Sequence, residues 1–446
     1  MAKKQQKLYL CSNCGDEFNV WAGKCQSCDQ WNTLEEIIVD KSTRKNPKTS
    51  EITIVSTKDA IKNKEKRLQV GDVDLDKVLG GGLVKGGVVL IAGEPGIGKS
   101  TLLLQIADGS GKQAKVLYVS AEESIHQVGL RAARLGVDKN NISLSDETDV
   151  DTIAQTIDSK KFDLVIVDSI QTVSTSLLSS SSGSISQITS CTHLLIEASK
   201  RSNTALMIVG HVTKEGSIAG PKILEHIVDV VLQLEGDRHG GFKLLRSIKN
   251  RFGSTNEVAI LEMVEKGLRV VENPSKELLK ERQITDGSVV LATMEGTRPV
   301  LVEVQALVNK TSYGYPKRTS SGFDLNRLNL LIAVLEKRTK LNLSDKDIYI
   351  NIVGGIKISE NAADLAVCMA IGSAANGLKL SVNSVVFGEV GLSGEVRHVG
   401  NIDKRIEESN KMGFDQTIGP KPSSSTKPSH FIAKDLRLTL NHFLKV

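Results

Sequence analysis

Eight consecutive residues, Gly93-Glu94-Pro95-Gly96-Ile97-Gly98-Lys99-Ser100, have the types and spacing that cradle phosphate. Glycines in the pattern G-x-x-x-x-G-K-[ST] let backbone N–H groups turn inward around α- and β-phosphates. The lysine, Lys99, then reaches the β/γ-phosphates, and the Ser100 hydroxyl can take Mg²⁺. The helix that begins at Ser100 and Thr101 adds its N-terminal dipole. This chemistry requires a strand before the loop and a helix after it. The apolar run Val88 to Ala92 reads as a buried strand, and Thr101 to Ala107 opens a helix with leucines on its buried side.

Other groups that could serve the same phosphates follow at the ends of apolar runs. Asp168 closes the strand-like run Leu164 to Val167 and can hold Mg²⁺ through water. Glu122 and Glu123 follow the strand Lys115 to Val119, where one of them can orient the attacking water, and Glu122 is the favoured base. The same pair also suits a helix N-terminus, where the dipole favours carboxylates. His211 ends the run Ala205 to Val209, a natural place for a γ-phosphate sensor, although a lone histidine also suits a structural role. With helices read around His126 to Leu135 and Gln187 to Arg201, the order alternates strand and helix. That order implies a parallel α/β sheet flanked by helices. Ahead of the phosphate loop, Gly71 to Gly82 reads as a short helix ended by a glycine cluster. The polar stretch Ser174 to Gln187 reads as a mobile loop at the same sheet edge, either a plain linker or a segment that contacts phosphates.

The chain has 446 residues, 24% charged and 40% hydrophobic, so it has room for two or three globular domains. Its net charge of +5 is weak support for a polyanionic partner. No apolar run approaches the ~20 residues of a membrane span. No signal-like stretch follows Met-Ala-Lys-Lys, so a cytosolic location is expected. Four of the six cysteines form two C-x-x-C knuckles, Cys11/Cys14 and Cys25/Cys28, which suit a structural Zn²⁺ held by four thiolates. Lys24, Trp21 and Trp31 flank these knuckles and could either cover the metal site or touch a nucleic acid or partner. Residues 40–67 carry nine Lys/Arg against four Asp/Glu and read as a flexible basic linker. Cys191 and Cys368 sit in apolar helical runs and read as packing residues.

Lys249-Asn250-Arg251-Phe252-Gly253, together with the phosphate loop, the knuckles, Gly210 to Gly220 and Trp21-Ala22-Gly23-Lys24-Cys25, resembles the RadA (Sms) family of bacterial DNA repair proteins over essentially the whole chain. The resemblance implies a RecA-like core and a hexameric ring. It also implies a DNA-dependent ATPase that binds single-stranded and branched DNA, works beside a RecA-type recombinase and extends heteroduplex by branch migration. Lys249 and Arg251 match the family motif whose cations reach ATP in the neighbouring subunit, where they would stabilise charge on the transferring phosphoryl group. Position in such a fold makes Lys214 and Lys222 candidates for DNA contact. A RecA-like signalling ATPase or kinase without DNA work, and an ATP-dependent protease, are the alternatives.

From about Pro274 the pattern changes to an α+β domain. Strands are expected at Val300 to Lys310, Ile348 to Val353 and Val385 to Val390, with helices at Asn326 to Thr339, Ala362 to Ala375 and Asp403 to Met412. This part resembles the protease domain of the Lon family, but Ala362 stands at the position of the nucleophilic serine and Asp403, beside Lys404, at that of the lysine. An alanine cannot attack a carbonyl, so the domain is expected to be proteolytically inactive. Lys310, Lys317 and Arg318, near Tyr313 to Pro316, are candidates for duplex contact or simply a charged loop. The expected organisation is a zinc finger over 1–35, a basic linker over 36–67, a RecA-like ATPase domain over 68–272 and a Lon-protease-like domain over 273–446.

Overall fold

A computed structural model describes residues 6–11, 17–39, 56, 66–137, 141–211, 223–236, 241–312, 314–422 and 429–444. The chain divides into two compact units. One holds the described residues up to 236 with Leu244–Thr255 and Met263–Val270, and the other is chiefly Asn256–Glu262 and Val271 onward.

The first residues form a three-stranded antiparallel sheet in the order β2-β1-β3, with β1 Gln6–Cys11, β2 Glu17–Phe18 and β3 Leu34–Val39. Its small core is Cys11, Cys25 and Leu34, with Tyr9, Phe18, Ala22 and Cys28 packed against it. Among the described residues this core is small, of the size that a bound metal commonly reinforces.

The strands between Val88 and Val270 form one nine-stranded sheet in the order β12-β11-β10-β9-β4-β8-β7-β5-β6. Its strands are β4 Val88–Gly93, β5 Val116–Ser120, β6 Ile142–Ser145, β7 Leu164–Asp168, β8 Ala205–His211, β9 Val230–Gly236, β10 Phe242–Asn250, β11 Val258–Val264 and β12 Gly267–Val270. From β6 to β9 the pairings are all parallel. Strands β4, β5 and β7 are buried along their whole length, as expected of unbroken Val/Ile/Leu runs in a sheet covered on both faces. Helices cross back between them and are started by local caps. Ser124 and Gln127 form a reciprocal capping box for Ile125–Leu135, Asp149 caps Val150–Asp158, and Ser184 caps Ile185–Ser202. The short helix ahead of the loop is Val73–Val78, capped by Asp72.

The polar stretch from Ser174 to Gln187 is anchored, contrary to the reading of a mobile loop. Gln187 is 2% exposed, and its side-chain amide receives Thr175 N–H and donates to the carbonyls of Thr175 and Ser180. A buried amide can thus replace sheet partners for a turn that composition alone would leave unsupported.

The second unit has a seven-stranded mixed sheet in the order β15-β16-β14-β13-β17-β20-β21. These are β13 Ser288–Glu295, β14 Arg298–Lys310, β15 Arg318–Ser321, β16 Lys346–Ile352, β17 Ser384–Val386, β20 Gln416–Gly419 and β21 His430–Ile432. A separate pair joins β18 Glu389–Val390 to β19 Val396–Arg397. The apolar helix Asp364–Asn376 packs on β13 and β14 and is buried from Asp364 to Ser373. Burial all round explains why this helix shows no amphipathic stripe.

Asp364 is the polar exception in that helix. Its carboxylate is fully buried, accepts Val390 N–H at 3.1 Å, and forms a two-pronged ion pair with Arg327, the Nε bond being 3.0 Å. Burial raises the Asp364 pKa while the Arg327 bonds oppose it. Truncating Arg327 to alanine leaves a buried carboxylate unpaired, and a loss of about 3 kcal/mol of stability is expected in this unit. Urea unfolding checks this: Arg327→Ala should shift the transition to lower denaturant, and Arg327→Met with Asp364→Leu should recover most of the loss.

Candidate functional site

The phosphate loop connects β4 to the helix Lys99–Gly111. Gly98 has φ +116°, a left-handed conformation that disfavours a side chain and lets the chain turn directly into the helix. Gly96, at φ +78°, has no atom within 4 Å of where a Cβ would sit, so the mouth of the loop is open. Lys99 is only 5% exposed, and its amine donates to the carbonyls of Gly93 at 2.9 Å and Glu94 at 3.0 Å. Burial lowers its pKa, and the charges of Asp168 and Glu122 pull it back up. The lysine is thus held inside the loop, its charge partly balanced by two carboxylates, at the helix N-terminus that favours an anion.

The carboxyl ends of neighbouring strands deliver the other groups. Register pairs Ser120 with Asp168 across β5 and β7, and Gly93 with His211 across β4 and β8. Asp168 is 7% exposed and receives the Tyr118 hydroxyl at 2.6 Å, an arrangement in which burial and the Asp168 charge push Tyr118 well above the ordinary tyrosine range. Ser169 donates to Glu122, while Glu123 is taken by Arg131 at 2.6 Å. Of the two adjacent glutamates, Glu122 is therefore the one turned toward the Asp168–Ser169 strand end. Backbone pairing places His211 beside the start of the loop. Lys214 and Lys222 lie outside the described residues.

The K-N-R-F-G segment is elsewhere. Lys249 donates to the carbonyls of Glu225, His226 and Val228, closing the end of the helix Ile223–Ile227. Arg251 pairs with Asp229 at 3.2 Å and leaves 54% of its side chain exposed. Asp229 in turn accepts Val88 N–H at 3.1 Å, at the amino end of β4. Val88 and Gly93 are the two ends of this six-residue strand, roughly 17 Å apart. Lys249 and Arg251 thus lie near the amino end of β4 rather than at the phosphate loop. Arg67, bonded to the carbonyls of Gly80 and Phe252, and Asn250, bonded to Val78 O, fasten the segment to the glycine cluster.

In the amino-terminal module, the thiols of Cys11, Cys25 and Cys28 all lie within 4.8 Å of one another, and Cys11 to Cys28 is 3.6 Å. Tetrahedral Zn–S bonds require sulfurs about 3.8 Å apart, so these three fit a structural zinc. Cys14, the expected fourth ligand, lies outside the described residues. Beside these cysteines Trp21 is 56% and Trp31 70% exposed. Burial pushes the Cys191 thiol up to about 12 and Cys368 well above its usual value, so both are inert packing residues.

In the second unit Ala362 sits in the short turn Asn361–Ala363, 3% exposed, its carbonyl receiving Gly388 N–H. Lys404 donates to Thr297 O at 3.2 Å. The neighbouring Arg405 is 1% exposed and pairs through both η nitrogens with Glu360, at 2.9 and 2.7 Å. Such an arrangement is a buried strut, with no nucleophile in the Asn361–Ala363 turn. Around the proposed duplex-contact loop, Tyr313 lies outside the described residues and Lys317 N–H bonds Asp347.

Tyr118, Ser169, Arg131 and Arg67 escape a reading of the sequence alone. Each acts on a partner 8 to 185 residues away, so no local spacing marks it.

Comparison with known proteins places these features in context. Residues 61–217 match the family described as AAA domain, and residues 9–36 the one described as rubredoxin metal binding domain. The chain is 47% identical over 418 residues to the DNA repair protein RadA of Aquifex aeolicus, covering 94% of each. It is 46% identical to the protein of that name in Bacillus subtilis, over 96% of this chain and 95% of the relative, and 43% identical to that of Pseudomonas aeruginosa, over 94% and 93%. A crystal structure of the RadB recombinase matches 46% of this chain and all of its own at 25% identity, with a TM-score of 0.37, a likeness too loose to carry an argument. Among the described residues no helix is long and apolar enough to cross a membrane.

Proposed function

We propose, from the premise that the chain belongs to the RadA family of DNA repair proteins, that it is a DNA-stimulated ATP hydrolase of recombinational repair whose active site is completed by a second copy of itself. One observation carries the shared site. The phosphate loop follows the carboxyl end of β4 while Arg251 pairs with Asp229 at its amino end, which supports a reading in which Arg251 serves the phosphoryl group of a neighbouring copy. A closed ring, for which six subunits is the expected number, presents one edge to the next at every interface.

Within each site the loop amides from Gly93 to Ser100 hold the phosphates with Mg²⁺, and Lys99 exchanges its two carbonyl partners for phosphate oxygens. Ser100 and Asp168 would hold the cation, which would supply charge neutralisation when bound. Glu122 receives the proton of the attacking water, and His211 at the end of β8 reports the γ-phosphate to the segment that follows. Arg251 from the neighbour neutralises the developing charge. Lys249 supports it by fixing the helix end beside Asp229.

Hydrolysis then moves single-stranded DNA held by the segment from 212 to 222, including Lys214 and Lys222, and by the anchored turn from Ser174 to Gln187. Branched intermediates left by a RecA-type recombinase are the substrates, processed by branch migration in the cytoplasm. The work divides among a zinc finger (1–35), a basic linker (36–67), the ATPase domain (68–272) and a scaffold domain (273–446) that is not a protease.

The test is ATP hydrolysis with and without single-stranded DNA. Stimulation several-fold by DNA, lost on Lys249→Ala, is the expected result. A rate indifferent to DNA would leave a RecA-like signalling ATPase as the better description.

A further inference from the structure

Both tryptophans of the chain lie in the zinc module and both give more than half their surface to solvent. Indole carries a large apolar area and is ordinarily well buried, so two exposed rings in one small module need an explanation. Neither belongs to the core of described residues formed by Cys11, Cys25 and Leu34 and the groups packed against it. Instead their rings converge on Gly23: a side chain there would come within 3.8 Å of the Trp31 ring and 3.9 Å of the Trp21 ring. The backbone fixes this arrangement. Asn32 N–H donates to Gly23 O at 2.8 Å, Cys25 N–H to Gln30 O at 2.9 Å, and Lys24 is paired with Asp29 at 2.5 Å. Two indole rings therefore meet at a bare glycine, two residues before Cys25 of the Cys25–Cys28 knuckle.

The occupant can be read from its chemistry. Flat rings suit flat partners, and residues 40–67 carry nine basic against four acidic residues, an excess of five positive charges. A ligand that is both planar and polyanionic answers both features. We propose that Trp21 and Trp31 form a stacking platform for unpaired nucleobases of single-stranded nucleic acid. This inference rests on the DNA reading above and adds a contact remote in sequence from the phosphate loop.

The experiment uses the full, zinc-loaded chain. It has no other tryptophan, so intrinsic indole fluorescence reports on these two rings alone. A thymine oligonucleotide is expected to quench it, and a blunt duplex of equal length or inorganic polyphosphate is not. Anisotropy of a labelled strand should show Trp21→Ala with Trp31→Ala weakening binding roughly tenfold or more, with Trp→Phe at both positions retaining most of the affinity. The salt slope should not change, because stacking releases no counterions. Zinc content equal to the parent chain, and unchanged DNA-free ATP turnover, show that the variant is folded. A strand that binds by anisotropy without quenching, and equally well to the double variant, overturns the platform and leaves the DNA reading intact. Equal quenching by polyphosphate overturns it in favour of a charge effect. No strand binding at all removes the DNA reading and the platform with it.

Discussion

Lys99→Met should reduce ATP turnover by about 10²- to 10³-fold while leaving the protein at least as stable as before. The kinetic loss follows from position, since Lys99 is the cation placed inside the loop, beside Asp168 and Glu122. The stability result follows from the sign of its pKa shift. Burial lowers the Lys99 pKa, so at neutral pH the folded chain holds the charged form at a cost that the unfolded chain does not bear. That cost fades only as pH rises past the lowered folded value toward the ordinary lysine value, so the native lysine protein should gain stability in that alkaline window. Methionine has similar length and no charge, and should remove the pH dependence. Two bonds to the Gly93 and Glu94 carbonyls are lost in exchange, which limits the gain. Thermal melts of both proteins at neutral and alkaline pH, beside turnover, check both halves. A variant that melts earlier with unaltered turnover would remove Lys99 from the site.

Glu122→Gln should bind nucleotide normally and hydrolyse it about 10²- to 10⁴-fold more slowly, the usual range for a general base. Glutamine keeps the shape and can still accept from Ser169, so the local geometry survives while the proton acceptor is gone. Glu123→Gln is the matched control. Its carboxylate is engaged by Arg131 on the adjoining helix, and its loss should cost little turnover. A fluorescent nucleotide titration with single-turnover hydrolysis separates binding from chemistry. If Glu123→Gln proved the slow variant, the base would be Glu123.

What the sequence reveals depends on how local the signal is. The phosphate loop and the cysteine knuckles are contiguous patterns, and β4, β5 and β7 are unbroken apolar runs, so each is readable directly. Edge strand β6, Ile142–Ser145, has two serines in four residues and intermediate exposure, and its pairing to β5 supplies what its composition lacks. Strands β9 to β12 and β13 are visible only once the sheet order is known. The polar turn ending at Gln187 misleads because its support is one buried amide twelve residues from Thr175. The Tyr118–Asp168 bond spans 50 residues and exists because β5 and β7 are neighbours. The position of Arg251, near Val88 at the amino end of β4 rather than near Gly93, likewise depends on tertiary pairing through Asp229.

The most direct test of the shared site mixes two inactive variants. Lys99→Met lacks a working loop but retains Arg251; Arg251→Ala has a working loop and lacks the cation. Each alone should show little DNA-stimulated ATP turnover. Co-assembled, some interfaces join the intact loop of one variant to the intact Arg251 of the other, and activity should reappear, rising and falling with the mixing ratio. A co-assembled mixture that stays at the level of its inactive components would contradict a site built from two copies.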